Sequence, residues 1–72
     1  MAELRFVGFL AERMGRETCE VSLEKPTRLR DILPNLPPNG EIIILIDQKP
    51  GHLDSMIRND NRVVLMPTIS GG

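Results

Sequence analysis

Val63-Val64-Leu65-Met66-Pro67-Thr68-Ile69-Ser70-Gly71-Gly72 is the stretch on which the arrangement of the other residues turns. Its first half reads as an apolar strand. Pro67 ends the ladder, because proline has no N–H to donate. A short polar run follows, and then two glycines. Chain ends are poor places for a pocketed active site, since disorder concentrates there. A Gly-Gly carboxylate makes chemical sense if it is itself the reacting group. Glycine lacks a Cβ, so it passes through a narrow channel and allows another backbone to come close. Fully extended, Thr68 to Gly72 would reach roughly 17 Å beyond the strand. The competing reading is a frayed end. We expect a body over residues 1–67 and a flexible tail over 68–72.

Working outward, Glu41-Ile42-Ile43-Ile44-Leu45-Ile46-Asp47 is the strongest strand signal. Its unbroken apolar run predicts a strand covered on both faces, or one that exposes an apolar patch. Glu3 to Phe9 alternates, with Leu4 and Phe6 on one face and Arg5, Val7 and Phe9 on the other, and so predicts a strand. Leu10 to Met14 reads as a helical turn stopped by Gly15. Thr18 to Leu23 alternates again, placing Cys19, Val21 and Leu23 together. Thr27 is a candidate cap for a short helix over about 28–33, with Leu29, Ile32 and Leu33 turned inward. Pro34 limits that helix. Leu36-Pro37-Pro38-Asn39-Gly40 is a turn-rich connector. Gln48 to Asn61 reads as mostly loop, tacked down by Leu53, Met56 and Ile57.

The order is strand, strand, helix, strand, strand. One helix over one face of a mixed four-to-five-stranded sheet is an α+β arrangement of the β-grasp kind. The crossover from the second strand through the helix to the third is long enough for the right-handed connection. Strand alternation turns Leu4, Phe6, Ile42, Ile44, Ile46, Val63 and Leu65 toward the helix. It turns Val7, Phe9, Ile43, Leu45, Val64 and Met66 outward. An apolar outer face on so small a protein marks a partner surface, unless the 48–61 loop or another copy covers it.

Composition narrows the function. Seventy-two residues make one domain with a thin core. Nine Lys and Arg against ten Asp and Glu, with the arginines scattered, argue against a nucleic-acid partner. There is no apolar run of about 20 residues to span a membrane. Glu3 and Arg5 interrupt any signal-peptide core. The single cysteine, Cys19, cannot form an internal disulfide and reads as a small core residue. His52 reads as a solvated loop residue. No Cys/His spacing fits a metal, and no phosphate-loop motif is present. Together these predict a soluble cytoplasmic protein that brings no metal, no cofactor and no catalytic constellation of its own.

The chain resembles the ubiquitin-like sulfur-carrier proteins, most closely the small subunit of molybdopterin synthase. The resemblance rests on Phe9-Leu10-Ala11-Glu12-Arg13 after the first strand and on the close Asp60-Asn61-Arg62-Val63-Val64-Leu65-Met66-Pro67-Thr68-Ile69-Ser70-Gly71-Gly72. It departs from the family at Asp60-Asn61, where the family has Gly-Asp, and at Thr68, where it has a second proline. It departs again at Met66, where an aromatic residue is usual.

The resemblance implies a carrier cycle. An E1-like adenylating enzyme, one resembling the ubiquitin-activating enzyme, uses ATP to adenylate the Gly72 carboxylate. A sulfur donor converts it to a thiocarboxylate, and the large subunit of molybdopterin synthase or another sulfur acceptor takes the sulfur. Gly71 and Ser70 would enter the partner's channel. Phe9, Val64, Met66, Val7 and Leu45 would dock. Sulfur transfer for thiamine synthesis or tRNA thiolation, and a ubiquitin-like protein modifier, use the same tail.

Overall fold

The computed structural model describes residues 1–33, 36 and 41–68. Its elements are β1 (Ala2–Phe6), α1 (Phe9–Met14), β2 (Thr18–Val21), β3 (Thr27–Arg28), α2 (Leu29–Ile32), β4 (Ile42–Ile46), β5 (Lys49–Pro50), β6 (Met56–Ile57) and β7 (Arg62–Pro67). Five strands form one mixed sheet in the order β2-β1-β7-β4-β5. The apolar run that opens the closing stretch thus becomes the middle strand. It pairs in parallel with β1 and antiparallel with β4. β3 and β6 make a separate two-stranded ribbon.

Burial follows the alternation. Leu4, Phe6, Ile42, Ile44, Val63 and Leu65 are buried on the inner face, and Ile46 packs against them. Leu10 of α1, Leu29 and Leu33 at α2, and Leu53 and Ile57 from the segment after β5 close over that face. Burying a dozen apolar side chains is the main favourable term for a chain this small. The 48–61 segment therefore packs into the inner layer through Leu53 and Ile57, on the opposite side of the sheet from the outward row.

Several elements differ from expectation for local reasons. The first strand stops at Phe6 rather than running to Phe9. Gly8 follows with φ of 65°, a left-handed conformation that side chains disfavour, and turns the backbone into α1. Phe9 is the first residue of that helix, not the last of a strand. α1 ends at Gly15 as expected: Gly15 and Arg16 N–H donate to the carbonyls of Glu12 and Ala11.

Thr27 does not cap α2. It lies in β3, and its hydroxyl bonds the Lys25 carbonyl at 3.0 Å. The N-cap is Arg28, with no side-chain cap. The first N–H groups of α2 are satisfied instead by carbonyls of the facing loop, Leu29 to Ser55 and Arg30 to Leu53. The helix is one turn, Leu29–Ile32, shorter than 28–33. The second strand ends at Val21 rather than Leu23. Beyond it, the Asn59 side chain accepts from Leu23 N–H at 2.7 Å and donates to its carbonyl at 2.6 Å.

The 48–61 segment is more ordered than a loop. Ile46 pairs with Lys49 across a two-residue turn. Asp47 and Gln48 both have positive φ, 51° and 70°, the geometry of a type I′ hairpin. Neither residue is a glycine, and so the turn carries no strong sequence signal. Met56, read as an anchor, is exposed. Asp60 lies in a turn closed from both sides: Asn61 N–H donates to the Arg58 carbonyl at 3.0 Å, and the Asn61 side chain accepts from Arg58 N–H at 2.7 Å.

Candidate functional site: the outer sheet face and the root of the tail

The outward row faces away from the core as its alternation requires. Val7, Phe9 and Ile43 are exposed, and Leu45, Val64 and Met66 are half-buried. The registers bring four of these side by side. Ile43 lies opposite Met66 and Leu45 opposite Val64 on β4 and β7. Arg5 of β1 sits beside Val64 on the other flank. Val7 joins the row through its N–H, which bonds the Leu65 carbonyl at 2.9 Å. Phe9 reaches this end of the sheet by a different route. It follows Gly8, whose backbone lies so near Pro67 that a Cβ there would meet its ring at 3.3 Å.

One end of the row opens into a depression of about 460 Å³ where the apolar Leu45 and Val64 meet Arg5, Asp47, Gln48 and Arg62. Arg5 has no ion-pair partner among the described residues; Arg62 stands 3.9 Å from Glu3. Arg5 belongs to no motif in the sequence. Its place on the outward row of β1 was the available signal.

Asp47 knits this corner together. Its carboxylate accepts from Arg62 N–H at 3.0 Å and from the Asn61 amide at 2.6 Å. Its own N–H donates to the Arg62 carbonyl at 2.8 Å. The Arg62 N–H first, and the Asn61 amide second, hold the Asp47 carboxyl below the usual carboxylate range.

At the opposite end of β7 the chain leaves the sheet. Thr68 still touches it: N–H and hydroxyl both donate to the Glu41 carbonyl at 3.2 Å. Ser70, Gly71 and Gly72 lie outside the described residues. Among the described residues no group of three or more His, Cys, Asp or Glu is placed to hold a metal ion. No described helix is long and apolar enough to cross a membrane. Cys19 is half-buried, with Arg16 donating to its sulfur at 3.6 Å. His52 is exposed.

No family model matches the sequence, and no curated protein does. Solved structures do. SAMP1 from Haloferax volcanii superposes with a TM-score of 0.74 at 22% identity, covering 99% of this chain and 98% of its own. A Pyrococcus furiosus protein named for subunit 1 of molybdopterin converting factor gives 0.74 at 12% identity, covering 94% and 97%. The small archaeal modifier protein 1 from Methanosarcina acetivorans gives 0.65 at 18% identity, covering 99% and 95%. At such identities the likeness is one of fold. The chain has the ubiquitin-like β-grasp fold that these modifier and converting-factor proteins share.

Proposed function

We propose that the chain is a tail-activated carrier of the ubiquitin-like kind, in which Gly72 holds the reacting carboxylate. One observation carries the reading. The middle strand of a β-grasp sheet runs through Pro67 and Thr68 directly into Ile69-Ser70-Gly71-Gly72, beside an outward apolar row. A carboxylate is a poor electrophile. Attack of its oxygen on the α-phosphorus of ATP, with departure of pyrophosphate, gives an acyl-adenylate with a good leaving group. A sulfur nucleophile then adds at the carbonyl, AMP leaves, and a thiocarboxylate results. The proposed roles are Gly72 as carrier, Gly71 and Ser70 as the part that enters the channel, and Val7, Phe9, Leu45, Val64 and Met66 as the surface that docks the adenylating enzyme. That enzyme holds the ATP. Sulfur delivery for molybdopterin synthesis, to the large synthase subunit, is the use we favour; thiamine synthesis and tRNA thiolation need the same thiocarboxylate.

A second reading keeps the adenylate and replaces the sulfur nucleophile by a lysine amine, giving an isopeptide. It is favoured by the two neighbours named as archaeal modifier proteins. Intact mass of the protein from its native cells separates them: exchange of one oxygen for sulfur supports the carrier, and conjugates larger by whole proteins support the modifier.

The reading shared by both is tested by pyrophosphate exchange with the E1-like enzyme of the same genome. Deleting Gly72 withdraws the carboxylate by roughly 3.3–3.6 Å. A displacement of 1 Å costs about a hundredfold in rate, so exchange nearly vanishes while thermal stability holds. Undiminished exchange would refute the proposal.

A further inference from the structure

We propose that the edge of β2, which among the described residues pairs with β1 alone, is a second binding site, which takes an extended segment of a partner protein bearing Lys or Arg on one face and apolar side chains on the other. The two edges of the sheet are built differently. The β5 edge is only two residues, Lys49 and Pro50. A charged side chain and a residue without an N–H are standard protections against strand addition. The β2 edge, Thr18–Val21, has neither lysine nor proline, and among the described residues β1 is its sole strand neighbour.

The ladder shows which groups are open. In the β1–β2 register Phe6 N–H donates to the Glu17 carbonyl at 2.8 Å. That places the inward-bonding positions at Glu17, Cys19 and Val21. The N–H and C=O groups of Thr18 and Glu20 therefore point away from β1, toward the free edge.

The side chains flanking this edge select the occupant. On the inner side a hollow of about 200 Å³ is lined by Phe6, Met14, Arg16, Cys19 and Leu33. It accepts an apolar side chain. On the outer side Glu20 stands directly opposite Glu3, in a position where cross-strand side chains come closest. Glu3 has Arg62 at 3.9 Å on its far side, so Glu20, with no ion pair among the described residues, is the carboxylate that a cation on an added strand would meet. Self-pairing would instead set Glu20 of one copy near that of another, which disfavours a second copy as occupant. An added strand thus bonds Thr18 and Glu20, sets Lys or Arg against Glu20, and drops an apolar residue into the hollow. This edge is distinct from the outward row proposed to dock the activating enzyme, so the two partners are compatible.

The test is a two-dimensional amide NMR titration of the full chain with blocked hexapeptides alternating Val with Lys or Val with Glu. We expect saturable binding of the Lys peptide, with the largest shifts at the Thr18 and Glu20 amides, and at least tenfold weaker binding of the Glu peptide. Glu20→Pro removes one outward N–H together with the carboxylate, spares the bonds to β1, and weakens binding of the Lys peptide more than about tenfold, tenfold being the scale of the lost hydrogen bond alone. Glu20→Lys, which leaves the backbone intact, reverses the peptide preference. Shifts centred on Ile43 and Val64, or variants that bind the Lys peptide like the parent, would overturn the proposal. Concentration-dependent shifts of Thr18 and Glu20 without peptide would also do so, by assigning the edge to a second copy. None of these outcomes bears on adenylation of Gly72.

Discussion

At the scale of single residues, Asp47 ties two pieces of chain into one corner. It starts a turn in which its own φ is positive, and its carboxylate accepts from the first residue of β7 and from Asn61. The bonds to the charged form hold its folded pKa below the unfolded value of about 3.9. A depressed pKa contributes stability that is present above the unfolded value. It is lost as pH falls through the lower, folded value. Asp47→Asn is therefore expected to lower the urea midpoint at pH 7. The difference from the parent should shrink as the pH is taken below about 4. A difference that stays constant with pH would mean the carboxylate contributes nothing through its charge. Little here could be read beforehand. Asp47 looked like the end of a strand, and Asp47-Gln48 lacks the glycine that usually announces this turn.

At the scale of elements, the strands were legible where apolar alternation was long. The inward positions Leu4, Phe6, Ile42, Ile44, Val63 and Leu65 are the buried ones. Boundaries failed where a single residue or a tertiary contact decides. Gly8 ended β1 earlier than alternation suggested. Carbonyls of Leu53 and Ser55 capped α2 in place of Thr27. β5 and β6 are two-residue strands made by pairing rather than by pattern. The packing they serve is strict at one point: a Cβ on Gly51 would come within 2.5 Å of the Ile46 side chain. Ile44 lies at the centre of this packing, 4% exposed. Ile44→Ala should cost roughly 2–5 kcal/mol by chemical denaturation, the range for truncating a buried aliphatic side chain. A near-neutral result would mean β4 does not carry the core.

At the scale of the whole molecule, the sheet has two unlike faces. One is closed by two short helices and the 48–61 segment. The other keeps Val7, Phe9 and Ile43 exposed. The outward set could be read from alternation, apart from Phe9, which reaches the surface as the first residue of a helix. The depression beside Arg5 and Asp47 could not be read, because it arises from the β4–β5 turn meeting β1 and β7. If the outward row docks the adenylating enzyme, Met66→Asp should weaken that complex at least tenfold in a binding titration. It should barely change the unfolding curve, since Met66 lies on the outward face and does not pack against the buried core. Phe9→Ala should behave alike with a smaller loss. Equal damage to folding and binding would show that these side chains support the body.

The place of β7 between β1 and β4 also dictates an order of assembly. β1 and β4 are not neighbours in the sheet; each pairs with β7. Until residues 62–67 have been synthesised, the middle of the sheet does not exist. What precedes it is a hairpin of β1 and β2 and an apolar strand, Ile42–Ile46, with a two-residue partner. Such a nascent chain must hold its most aggregation-prone segment open until the end. Long-range pairing of this kind closes large loops first and so folds slowly for its size. The strand that carries the proposed reacting tail is thus also the last piece the body waits for, so a chain truncated before it would present no tail on a folded platform.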